Sequence, residues 1–157
     1  MTAALQEGDK APAFNLASDG GGKVSLKSLA GKKIVLYFYP KDDTSGCTRE
    51  AIDFSGMKKD FTKVGAEVIG VSPDSVKSHD KFKAKHDLGI ALLSDEDKTM
   101  LEAYGVWTEK SMYGRSYMGV ERTTFLIDAE GVISRVWNKV KVKGHVEEVL
   151  EAVQALK

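Results

Sequence analysis

Six consecutive apolar residues, Ile34 to Tyr39 in the run KKIVLYFYP, constrain the fold of this chain more than any other feature. Successive side chains of a strand point to opposite faces. A strand with no polar position must therefore be covered on both sides. The run predicts a central, buried strand over 33–39, ended by Pro40, which fixes φ and has no N–H for a ladder. Strands and helices alternate around it. FNLASDGGGKVSL reads as two short strands joined by a Gly-rich turn at Asp19 to Gly22. That turn lacks the spacing and the following helix of a phosphate-binding loop, so it is read as a plain hairpin. From Thr48 to Val64, apolar residues fall at Ala51, Phe54, Met57, Phe61 and Val64. Steps of three and four predict one helical face, ended by Gly65. AEVIGVS reads as a second buried strand, SVKSHDKFKAKHDLG as a polar helix and IALLSD as a short third strand, with Asp95 placed to cap the helix EDKTMLEAYG. RTTFLIDAEGVISRVW reads as a hairpin turning at Asp128 to Gly131. HVEEVLEAVQAL closes the chain as an amphipathic helix with Val146, Val149, Leu150 and Val153 on one face.

The order β-hairpin, βα, βα, βα, β-hairpin, α predicts an α/β fold with a central mixed sheet flanked by helices. It is compatible with a thioredoxin-like fold carrying an N-terminal β-hairpin. No repeat, low-complexity tract or linker divides the chain, so residues 1–157 are read as a single domain, large enough for a real core. Lys+Arg and Asp+Glu balance at 23 each. That balance argues against a nucleic-acid or membrane surface driven by bulk charge. No apolar stretch approaches the roughly 20 residues of a membrane span, and MTAALQEGDKAP lacks the basic start and long apolar region of a secretory signal. One cysteine cannot close an internal disulfide, so the expected setting is a reducing compartment, the cytoplasm.

That cysteine, Cys47, stands in YPKDDTSGCTRE, just after the central strand and at the start of a predicted helix. A helix N-terminus offers unpaired N–H groups and partial positive charge. Both favour a thiolate over a thiol, and the thiolate is the nucleophile. A free cysteine is most often a small buried hydrophobe, but the polar, turn-rich neighbours here favour a reactive one. Thr44 lies one helical turn before Cys47, where its hydroxyl can reach the sulfur region or act as N-cap. Gly46 lets the backbone come close to whatever the sulfur attacks.

The stretch Pro40-Lys-Asp-Asp-Thr44-Ser-Gly-Cys47 resembles the PxxxTxxC signature of peroxiredoxins. The resemblance runs from about Gly8 to the final helix. GDKAPAFNL, LLSDED and YGVWTEKSMYGRSYMGVERTTFLIDAEG are similar to the PrxQ, or bacterioferritin comigratory, branch in particular. It implies a thioredoxin-like peroxidase that reduces hydrogen peroxide and organic hydroperoxides without metal, haem, flavin or any other cofactor. By this resemblance Cys47 is the peroxidatic cysteine. Thr44 orients the peroxide, and Pro40 shields the site from water. Arg122, in ERTTFLID, supplies positive charge to the thiolate and to the departing oxygen. Gly46, Thr44 and Arg122 would contact the substrate. Arg49, two residues from Cys47, falls on a different helix face, and Arg115 and Arg135 lack the motif context.

Two positions depart from that branch. Many members carry a second, resolving cysteine five residues after the first, where this chain has Ile52; others place it in the following helix, which here has none. The resemblance therefore implies a one-cysteine member whose sulfenic acid is reduced by an external thiol, such as thioredoxin, glutaredoxin or a small thiol. Ser45 stands where proline is common, which loosens the loop before the helix. The missing second cysteine keeps open a different function, a redox sensor in which oxidised Cys47 signals to a partner without rapid turnover. A disulfide oxidoreductase is disfavoured by the lack of a CxxC. The branch implies a monomer. His79 and His86, seven apart, are read as solvated surface rather than a metal pair. Trp107, Tyr113, Tyr117 and Met118 are expected either to line an approach for organic hydroperoxides or to pack a loop onto the body. Lys139, Lys141 and Lys143 are read as one face of an exposed strand or turn.

Overall fold

In the computed structural model, which describes residues 5–156, the strands in chain order are β1 (Asn15–Ser18), β2 (Lys23–Ser25), β3 (Lys33–Phe38), β4 (Ala66–Ser72), β5 (Ala91–Ser94), β6 (Trp107–Met112), β7 (Arg115–Val120), β8 (Thr123–Ile127) and β9 (Ile133–Trp137). Seven of them form one mixed sheet in the order β2-β1-β5-β4-β3-β8-β9. β3 is central as expected, parallel to β4 and antiparallel to β8. Its side chains divide between two cores. Ile34, Leu36 and Phe38 join Ile69, Val71 and Phe125 on one face of the sheet. Val35, Tyr37 and Tyr39 join Phe54, Phe61, Leu92 and Val149 on the other, and Cys47 belongs to this second cluster. The period-two alternation of a fully apolar strand thus feeds two layers at once.

Parallel pairs need crossovers, which helices supply. Between β3 and β4 run α1 (Ser45–Gly56) and α2 (Lys58–Lys63), and between β4 and β5 runs α3 (Val76–His86). The short α4 (Thr99–Ala103) follows β5, and α5 (His145–Ala155) ends the chain with Val146, Val149 and Val153 buried. The fold is thioredoxin-like, with the N-terminal hairpin β1–β2 attached to β5. The opening residues 1–4, on which the reading of MTAALQEGDKAP partly rests, and residue 157 lie outside those described.

The structure corrects several local expectations. The single helix expected over Thr48 to Val64 is two, broken at Met57 (φ −106°, ψ 10°). Gly56 lowers the cost of leaving the helix there, and the break keeps Phe61 against Phe54, ring centroids 5.9 Å apart. Asp95 does cap α4, but from outside it. Lys98 is the residue at the cap position, and Asp95 Oδ2 accepts the Leu101 N–H at 2.7 Å. The segment read as an aromatic loop is a second hairpin, β6 paired with β7 as a separate two-stranded sheet. Tyr113 (φ 53°) and Gly114 (φ 77°) make its two-residue turn, the doubly positive φ that matches strand twist. Only Trp107 packs on the core; Tyr113 is 98% exposed, and Tyr117 and Met118 are also exposed. Lys139, Lys141 and Lys143 are exposed, alternating with half-buried Val140 and Val142, in a loop rather than a strand.

Candidate active site

Beyond Phe38 the chain continues through buried Tyr39 and half-buried Pro40 into a short loop, and α1 begins at Ser45. Cys47 is thus the third residue of α1, in the turn whose N–H groups lack helical partners. Its residue is 1% exposed and its thiol is free. Thr44 occupies the cap position with extended backbone (φ −94°, ψ 158°), and its carbonyl accepts the Thr48 N–H at 2.8 Å. Its hydroxyl makes no capping bond. It donates instead to the Lys41 carbonyl at 2.9 Å, closing the loop on itself.

Arg122 comes from the link between β7 and β8, far away in sequence. Its Nη2 donates to Cys47 Sγ at 3.2 Å and its Nη1 to Glu50 Oε1 at 2.6 Å. The other arginines lie elsewhere. Arg49 is exposed and pairs with Asp53 at 3.2 Å, Arg115 is exposed on β7, and Arg135 lies over the Trp137 ring at 4.7 Å. Gly46 has a specific role in this geometry. A Cβ there would stand 3.3 Å from Arg122 Nη2, so a side chain would crowd the guanidinium.

Glu50 is the site residue that the sequence reading missed. It is fully buried, and its second carboxylate oxygen, Oε2, has no partner among the described residues. Burial pushes its carboxyl up to about 7, although the charge and hydrogen bond of Arg122 pull it back. Burial also works against the Arg122 charge, but Glu50 and Cys47 outweigh it and raise the guanidinium above its ordinary value. The signal was present in the sequence: Glu50 is three residues after Cys47, on the same helix face. Together these groups place a sulfur at a helix start, a fixed cation against it and a buried carboxylate behind that cation. Such a set can stabilise negative charge on the sulfur and on an oxygen leaving from it.

His79 is not on the solvated surface. It is fully buried, its Nδ1 2.7 Å from Asp42 Oδ2 and its Nε2 2.8 Å from the Leu93 carbonyl. His86 is half-buried rather than fully solvated, its ring edge-on to Phe82 with centroids 5.4 Å apart and its Nε2 2.9 Å from exposed Asp43. The two are nearly two turns apart on α3, and His79 lies one turn before buried Phe82, which carries it inward.

The AhpC/TSA family profile matches residues 7–136. The chain is 56% identical over 146 residues to the putative peroxiredoxin bcp of Coxiella burnetii, covering 93% of this chain and 97% of that protein. It superposes on the crystal structure of Xylella fastidiosa PrxQ with a TM-score of 0.93, 39% identity and 98% of each chain covered. It also matches the bacterioferritin comigratory protein of Xanthomonas campestris, TM-score 0.87, 46% identity and 90% of each chain, a structure concerned with that protein's alkyl peroxide reduction.

Proposed function

Since the chain belongs to the AhpC/TSA family and is a peroxiredoxin of the bacterioferritin comigratory, or PrxQ, branch, a thiol-dependent peroxidase, we propose that Cys47 is its peroxidatic nucleophile. The observation that carries this is the Arg122 Nη2 contact to Cys47 Sγ at 3.2 Å. The thiolate attacks one peroxide oxygen. The O–O bond breaks as the S–O bond forms, and the second oxygen leaves, takes up a proton and departs as water or an alcohol. Cys47 is left as a sulfenic acid. Arg122 is placed to hold the thiolate and to meet the charge that develops on the departing oxygen. The Thr44 hydroxyl, engaged with Lys41, keeps its lone pairs for the peroxide proton. Half-buried Pro40 shields the sulfur from water, and Gly46 leaves room for substrate and guanidinium together.

With one cysteine in the chain, the sulfenic acid has no internal partner. An external thiol attacks its sulfur, releasing water and leaving a mixed disulfide, and a second thiol frees Cys47. Thioredoxin, glutaredoxin or a small thiol fill that role. Because Cys47 is 1% exposed, a reductant larger than a peroxide reaches it only when the first turn of α1 opens. The proposed substrates are hydrogen peroxide and organic hydroperoxides, the latter supported by the alkyl peroxide reduction of the X. campestris relative. The protein is proposed to act as a monomer of one domain, residues 1–157, in the cytoplasm. No helix among the described residues is long and apolar enough to cross a membrane.

The test is hydrogen peroxide consumption by the purified protein, first alone and then with thioredoxin plus reductase, glutaredoxin plus glutathione, or dithiothreitol. One fast equivalent alone, then sustained turnover with one system, is the expected result and identifies the reductant. One equivalent without turnover under any reductant would mark a sensor. No fast equivalent would remove Cys47 as the nucleophile.

A further inference from the structure

Asp42 lies inside the loop that carries Pro40 and Thr44, and the peroxidase reading gives it no role. It is buried, and its carboxylate is the focus of three donors. Oδ1 accepts the Tyr39 hydroxyl at 2.6 Å, while Oδ2 accepts the Ser78 hydroxyl at 2.8 Å and His79 Nδ1 at 2.7 Å. Its backbone N–H donates to Asp74 Oδ2 at 2.8 Å, and that oxygen also accepts the Ser72 hydroxyl at 2.7 Å. On the far side of the imidazole, Nε2 stands 2.8 Å from the Leu93 carbonyl. A carbonyl oxygen has no proton to give, so Nε2 carries one; a carboxylate has none either, so Nδ1 carries another. With Asp42 ionised, both ring nitrogens are donors, and the ring, which has no exposure to solvent, carries the charge of an imidazolium.

We infer that His79 is a positioning residue of the peroxidase reaction, a buried imidazolium that pins Asp42, and through it the loop bearing Pro40 and Thr44, to α3 and β5. The inference rests on the peroxidase reading above. Three segments meet at this ring: the 40–44 loop through Asp42, the residue just after β3 through Tyr39, and β5 through the Leu93 carbonyl. Asp74 and Ser78 complete the polar groups facing the pair. Burial works against the charge, but the hydrogen bond and charge of Asp42, the Leu93 carbonyl and Asp74 outweigh it and hold the ring protonated above the ordinary histidine value. A fully satisfied buried network fixes one geometry. The group it fixes starts two residues from Thr44 and five from Cys47. Misplacing catalytic atoms by about 1 Å can cost on the order of a hundredfold in rate.

Two measurements test this. In uniformly ¹⁵N-labelled wild-type protein at pH 7, long-range ¹H–¹⁵N correlation should show two protonated nitrogens on His79. One bare nitrogen would overturn the imidazolium. In single-turnover oxidation by hydrogen peroxide, followed well below the unfolding temperature, His79→Gln and Asp42→Asn should each react roughly tenfold or more slowly than wild type, by the same positional argument. The double variant should be little worse than either single one, because both remove one interaction. Amide hydrogen exchange over residues 41–48 should rise in step with the loss. A folded His79→Gln protein that reacts at the wild-type rate, having lost only thermal stability, would reduce the residue to ordinary core packing. If the variants fail to fold, the ring-nitrogen measurement still decides the charge. A wild-type protein that consumes no peroxide would sink the peroxidase reading while leaving the nitrogen pattern to stand or fall separately.

Discussion

Asp42 and Glu50 are both buried carboxylates close in sequence to Cys47, and the fold treats them differently. Every oxygen of Asp42 is met, by the Tyr39 and Ser78 hydroxyls and by His79. Glu50 has one partner, Arg122, and its other oxygen has none among the described residues. A satisfied buried network holds a geometry, whereas an unpaired buried oxygen carries a desolvation cost that a proton or a new partner relieves. The division follows the chemistry. The Asp42 side supports the loop from outside the reaction. The Glu50 side shares its arginine with the sulfur, where the proposed mechanism makes charge appear and disappear in each cycle.

The largest effect should come from neither carboxylate. Cys47→Ser should abolish peroxide consumption while circular dichroism and both carboxylate networks stay as they are, since the hydroxyl nearly matches the thiol in size. Consumption that persists in that variant would place the nucleophile elsewhere. Arg122→Ala comes next and strikes the Glu50 side alone. Removing one fixed donor to a developing charge costs about 10²–10³-fold in rate, so single-turnover oxidation by hydrogen peroxide should slow by that order. A rate within twofold of wild type would mean that the 3.2 Å contact to Sγ does not serve catalysis.

Glu50→Gln sharpens the contrast through pH. The Glu50 carboxyl is raised from 4.5 to about 7 in the folded protein. Between those values the folded state binds more protons than the unfolded chain, so stability must fall as pH rises. The contribution is fully present below about pH 4.5 and is lost as pH passes through about 7, with an upper size of roughly 3 kcal/mol. Urea unfolding at pH 5 and pH 8 should show a larger loss in the wild type than in Glu50→Gln. His79 is also raised, so its contribution is likewise lost as pH climbs, but above the ordinary histidine value and only while Asp42 is its partner. Equal pH slopes for wild type and Glu50→Gln would mean that Glu50 is ionised throughout.

The same two carboxylates show what the sequence made legible. The alternation of strands and helices, the central strand and the placing of Cys47 at a helix start all follow from local patterns, and the structure bears them out. Arg122 was reached only through the family resemblance. It sits at a strand boundary 75 residues from Cys47, where periodicity says nothing about what it touches. Glu50 was legible through its three-residue spacing but was hidden in a polar stretch that reads as a solvated face. His79 was misread for the same reason. α3 is polar, and its two buried positions, His79 and Phe82, make too short an apolar stripe to mark which way it faces. The β6–β7 hairpin escaped because most of its residues are exposed on both faces, so no alternation of apolar and polar positions marks its strands.

The smallest predicted effect separates stability from activity at the Glu50 side. Gly46 is the second residue of α1, without the positive φ that would demand glycine. Alanine is the better helix former by roughly 0.5–1 kcal/mol in a helix interior. On backbone grounds Gly46→Ala should therefore hold stability level or raise it slightly. The new Cβ, however, would stand 3.3 Å from Arg122 Nη2, close enough that the guanidinium must give by a few tenths of an ångström. The same nitrogen donates to Cys47 Sγ, and its neighbour Nη1 is fixed on Glu50, so the displacement falls on the sulfur contact. Gly46→Ala should thus keep or raise its urea midpoint while its single-turnover rate with hydrogen peroxide drops severalfold, well short of the Arg122→Ala loss. A variant both as active and as stable as wild type would show that the guanidinium has slack at the sulfur. In that case Glu50 does not hold Arg122 tightly enough for the contrast with Asp42 to matter.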